Sequence, residues 1–135
     1  MNQKKLYISL PIMDRDLQSI KEACEIQHQF ERKGFIVINP FIIKSKLETE
    51  LGRIAFEKEI IGAEIKALSG CDAMILIPEW EKSKRCNLHI RFALDCNLSI
   101  YDYESMEKIH FNSRLNNSVL KTSFDNWITQ PIHIE

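Results

Sequence analysis

A chain of 135 residues, 44% hydrophobic and 27% charged, has the size and balance of one soluble globular domain with enough length for a real core. Its net charge of −1 gives no field that would gather nucleic acid. The opening MNQKKLYISLPI carries a short apolar run broken by Ser9 and Pro11, so it reads as neither a signal peptide nor a membrane span, and the expected setting is cytoplasmic.

Leu6 to Ile12 is an apolar run containing a proline and predicts a first strand. Asp14 to Lys33 follows with Leu17, Ile20, Cys24 and Phe30 at roughly helical spacing, Asp14 or Asp16 as a cap and Gly34 as a stop. Phe35 to Pro40 repeats the strand pattern, and Glu48 to Ser69 predicts a second helix with Ile61, Ile65 and Leu68 on one stripe. Ala73 to Pro78 is a third strand. A charged loop leads to a helix carrying Leu88, Phe92 and Cys96, with Arg85 and His89 at its opening. Leu98 to Tyr103 is a fourth strand. The alternation implies a flavodoxin-like, doubly wound parallel sheet in a single domain spanning 1–135, with its core over 5–103. The tail, 104–135, shows no clear element, and Trp127 and Ile128 would close over the sheet or dock on a neighbouring subunit. Cys24, Cys71, Cys86 and Cys96 form no C-x-x-C pair and have no histidines at ligand spacing, so they read as free thiols, with no metal expected.

Ligands in such folds lie outside the carboxyl ends of the strands. That rim gathers Ser9, Leu10 and Pro11, then Asn39 and Pro40, then Pro78 to Arg85 with Glu79, Trp80 and Glu81 in the loop. Four glycines and no G-x-G-x-x-G or Walker loop argue against a dinucleotide cradle. Glu64 falls near the apolar stripe of its helix, where a charge must be paired, hydrogen-bonded or facing a cleft; the plainer reading is a stripe-edge residue that reaches water. Asp72 reads as a turn or cap residue, and Trp80 either stacks on a planar ligand or packs. His89 is most simply a solvent-facing first-turn residue.

Several pieces also match in order: YISLPI, then VINP ending the second strand, an acidic residue ahead of Cys71-Asp72, a P-x-W-E loop and a C-N-L helix start. Together they resemble the nucleoside 2-deoxyribosyltransferase-like superfamily, most closely its small branch, the domain of unknown function 4406 group, over residues 5 to about 103. The resemblance implies a pocket for a nucleoside or nucleotide and chemistry at an N-glycosidic bond without metal or organic cofactor. It also implies a homo-oligomer whose pockets a neighbour completes. Ser9 to Pro11 would line the sugar or phosphate end, and Glu64 stands where the superfamily has an aspartate touching base or sugar. His89 stands where the catalytic glutamate belongs, in a pattern that usually reads G-C-x-L-E, and Arg85 replaces the glycine. A carboxylate there stabilises an oxocarbenium-like state or captures it covalently. Histidine beside arginine suits an anion instead. The expectation is therefore a nucleoside or nucleotide pocket with impaired catalysis. The alternatives are an active transferase or N-glycosidase in which Glu81 or Glu79 substitutes, and an interaction domain without a ligand.

Overall fold

The structure is a computed structural model and describes residues 3–11, 17–111 and 119–123, the last of these as backbone. Its elements are β1 (Lys5–Ser9), α1 (Leu17–Glu31), β2 (Ile36–Ile38), α2 (Pro40–Leu51), α3 (Glu57–Ser69), β3 (Ala73–Leu76), a short 3₁₀ turn (Trp80–Lys82), α4 (Lys84–Asp95), β4 (Ser99–Asp102), β5 (Glu107–Phe111) and β6 (Val119–Ser123). The sheet runs β2-β1-β3-β4-β5-β6. The first four strands are parallel, and β5 and β6 add antiparallel to the β4 edge. A flavodoxin-like α/β architecture results, with part of the expected tail forming sheet. Trp127 and Ile128 lie outside the described residues, as do Asp14 and Asp16.

Strand alternation sends Leu6, Ile8 and Leu10 to one face of β1, where they meet Ala23, Ile26 and Phe30 of α1. Tyr7 faces the other way, into a second cluster with Leu68 of α3, Met74 and Leu76 of β3, and Ile90 and Ala93 of α4. Helices on both faces explain why all four residues of β3 are buried. Asp72 ties the start of this strand to β1, accepting from the Lys5 amide at 2.8 Å. No helix among the described residues is long and apolar enough to cross a membrane.

Three helical readings are corrected. The span predicted as one helix from Glu48 to Ser69 is the end of α2 and all of α3. Gly52, at φ 70°, closes α2 in the left-handed conformation, its amide donating to the Glu48 carbonyl at 2.9 Å. A new helix then starts as the Glu59 carboxylate accepts from the Phe56 amide at 2.8 Å. In α1 the buried face is Ala23, Ile26 and Phe30, whereas Leu17 is exposed. In α4 the buried face is Cys86, His89, Ile90 and Ala93, which leaves Leu88 and Cys96 on the outside. Because α4 begins at Lys84 with Ser83 as its cap, His89 lies in its second turn.

Candidate functional site

Among the described residues five polar side chains are buried, namely Ser9, Asn39, Glu64, Ser83 and His89. Two of them start helices. The Asn39 carboxamide oxygen accepts from the Phe41 amide at 3.0 Å and the Ser83 hydroxyl from the Cys86 amide at 3.1 Å. The other three meet one another. Ser9 ends β1 on the same face as Tyr7, Glu64 lies on the Ile60, Glu64, Leu68 stripe of α3, and His89 lies on the sheet-facing side of α4.

Glu64 is thus at the centre of its buried stripe, 1% exposed, and not at an edge reaching water. His89, also 1% exposed, is not a solvent-facing residue. Their burial is possible because each supplies the other's hydrogen bond. His89 Nε2 lies 3.0 Å from Glu64 Oε1, and His89 Nδ1 lies 2.7 Å from Ser9 Oγ. A carboxylate only accepts, so Nε2 carries a proton and donates to Glu64; in the neutral ring Nδ1 then accepts from the Ser9 hydroxyl. Arg85 completes the arrangement: its Nη1 lies 2.9 and 2.8 Å from the two Glu64 oxygens, and its Nη2 contacts the Glu57 carboxylate. An isolated carboxylate this deep would cost several kcal/mol to desolvate, about what a close cation with added hydrogen bonds offsets.

The surroundings follow the same electrostatics. Burial pushes the Tyr7 hydroxyl far above its ordinary range, and the neighbouring Glu64 charge adds to the effect. The Tyr7 ring stands edge-on to His89 at 5.1 Å. Burial also raises the Cys86 thiol, against the opposing hydrogen bonds of Ser83 and Ser9.

Glu64 and Arg85 form part of the wall of a cleft of about 870 Å³ bounded by α1, α2, α3 and the start of α4. Ile20, Pro40, Phe41, Ile54 and Ile60 give it apolar surface. Lys44, Glu48, Arg53 and Glu57 add charge, and Ser45 and Thr49 add hydroxyls. The cations are paired: Lys44 with Glu48 at 3.4 Å, and Arg53 in a fork on Glu59 at 2.9 and 3.0 Å. This size and mixture suit a small organic molecule.

Of the residues read from the sequence, Pro40, Glu64 and Arg85 line the cleft, while Ser9 and His89 stand behind Glu64. Leu10 belongs to the α1-side core and Pro11 is half-buried beyond it. Trp80 packs edge-to-face on Phe111, with ring centroids 6.0 Å apart. Glu79 and Glu81 are exposed in the loop, where the Glu81 carbonyl accepts from the Asn87 side chain at 3.2 Å. Lys44, Glu48, Arg53 and Glu57 escaped sequence reasoning. Two signals could have found three of them: the i, i+4 spacing of Lys44 and Glu48, and the position of Glu57 two turns before Glu64.

Sheet order, buried polar cluster and cleft define a flavodoxin-like α/β domain with a small-molecule-sized recess beside the carboxyl ends of its strands. The chain belongs to the family described as Domain of unknown function (DUF4406), which matches residues 4–102. No curated protein matches it.

Proposed function

We propose that this protein binds a nucleoside or nucleotide in the cleft between α2, α3 and α4 and leaves its N-glycosidic bond intact. One observation carries the reading: Glu64, at the cleft wall, is fully engaged by Arg85 and His89. The resemblance to nucleoside 2-deoxyribosyltransferase-like proteins puts the nucleophilic glutamate where this chain has His89. That ring lies behind Glu64, hydrogen-bonded on both nitrogens, and a neutral imidazole supplies little of the negative charge an oxocarbenium-like state needs. Apolar surface from Phe41, Ile20 and Ile54 suits a base, and the charged and hydroxyl side chains of α2 suit a sugar with or without phosphate.

Thermal unfolding in the presence of 2′-deoxynucleosides and their 5′-monophosphates tests this. A bound ligand at 100 times its dissociation constant adds about 2.7 kcal/mol of stability, a readily measured rise in melting temperature. No rise with any of these compounds removes the proposal and leaves a domain that acts through other partners.

A further inference from the structure

We infer that the cleft contains an anion subsite on Arg85, that Glu57 occupies it in the free protein, and that the group it takes is a phosphate monoester on the ligand. The inference rests on the nucleoside or nucleotide reading of the cleft and says which of the two fits better. Among the described residues, two carboxylates on Arg85 differ sharply in environment: Glu64 has a side chain 1% exposed and Glu57 one 62% exposed. Glu64 cannot leave, because it would give up Arg85 and His89 with no water to replace them. Glu57 can. Its carboxylate already faces solvent, and an ion pair of that kind contributes little.

The Arg85 side chain is 15% exposed; Glu64 holds its Nη1, and Glu57 meets its second terminal nitrogen at the cleft. A phosphate oxygen arriving there replaces a solvated carboxylate with a more highly charged acceptor, one that takes parallel N–H donors well. Lys44, 27% exposed on the same wall and paired through one turn of α2 with Glu48, is a second cation within the cleft. Until it is displaced, Glu57 also repels an incoming anion. Glu57 is therefore an internal competitor for the ligand's phosphate.

Binding of inorganic phosphate, of 2′-deoxynucleosides and of their 5′-monophosphates to the wild-type chain and to Glu57→Gln, followed by calorimetric titration, tests the inference. Glutamine keeps the shape and removes the charge. The expected result is a rise of about fivefold in the monophosphate-to-nucleoside affinity ratio, the equivalent of one exposed ion pair. Arg85→Lys, which keeps a charge beside Glu64 but loses the second nitrogen, is expected to lower that ratio. If nucleosides and monophosphates bind and Glu57→Gln leaves the ratio unchanged or lowers it, the subsite is overturned while the ligand reading stands. If only inorganic phosphate binds, and binds more tightly to Glu57→Gln, the subsite stands and the nucleotide reading falls. If no probe binds either protein, both fall.

Discussion

His89 Nε2 lies 3.0 Å from Glu64 Oε1 with both side chains shut away from solvent, and this contact joins α4 to α3 across the buried face of the domain. Since Ser9 stands on the other ring nitrogen, the contact also reaches β1. Three elements far apart in sequence are therefore locked by one ring. His89→Ala leaves Ser9 and Glu64 each short of a partner and opens a void, so a loss of about 2 to 4 kcal/mol is expected in denaturant unfolding. A Ser9→Ala, His89→Ala cycle should show a coupling of about 0.5 kcal/mol or more. Additive single effects would mean that the Ser9 to His89 bond contributes nothing.

Glu64→Gln keeps the volume but strips Arg85 of its buried counter-charge. Breaking a buried pair by removing one partner typically costs about 3 to 5 kcal/mol. Exposed Glu57, which also meets Arg85, should lose far less on conversion to glutamine, within about 1 kcal/mol. Equal losses at the two positions would contradict the division between a fixed and an exchangeable partner.

Tyr7 carries a hydroxyl that is buried without a hydrogen-bond partner among the described residues. Such a group bears a desolvation cost of about 1 to 3 kcal/mol that phenylalanine does not. Tyr7→Phe is accordingly expected to hold or raise stability, with the ring still edge-on to His89. A loss above about 1 kcal/mol, the usual net worth of one hydrogen bond, would reveal a partner for that hydroxyl.

The four cysteines should separate by burial. Cys96 is exposed, Cys24 intermediate, and Cys71 and Cys86 buried, so iodoacetamide is expected to label Cys96 first and the buried pair only on unfolding. Burial, with the Asp72 charge adding to it, pushes the Cys71 thiol up to about 12 from an ordinary 9.0. The unfolded chain then loses this proton first, so stability is full below pH 9 and falls as pH rises towards 12. Cys71→Ala should flatten that alkaline slope, and an unchanged slope would exclude the thiol as its source.

The four parallel strands were legible because each is a short apolar run bounded by turn residues or proline, which the buried strands of a parallel sheet require. α2 was hidden by its own first residues: Phe41, Ile42 and Ile43 continue the apolar run of β2, and only Pro40 at the first helical position marks the change. With α2 unseen, Lys44 and Glu48 were unseen too. The burial of Glu64 was illegible for a different reason. Pattern along α3 makes a central carboxylate implausible, and what permits it is an arginine 21 positions onward and a histidine 25 onward, contacts that exist only once α3 and α4 pack together. β5 lacked a continuous apolar run, since its burial pattern places only Ile109 in the core.

The central claim is that the cleft holds its ligand with the glycosidic bond intact, because the carboxylate on its wall is locked by Arg85 and His89. The most direct measurement incubates the protein with each 2′-deoxynucleoside and 5′-monophosphate and quantifies free base and intact ligand by chromatography, alongside recovery of protein-bound ligand. The account predicts bound ligand recovered whole and no base above the protein-free control. Base release at ordinary enzymatic rates, abolished by Glu81→Gln or Glu79→Gln, would contradict it and place the nucleophile in the loop.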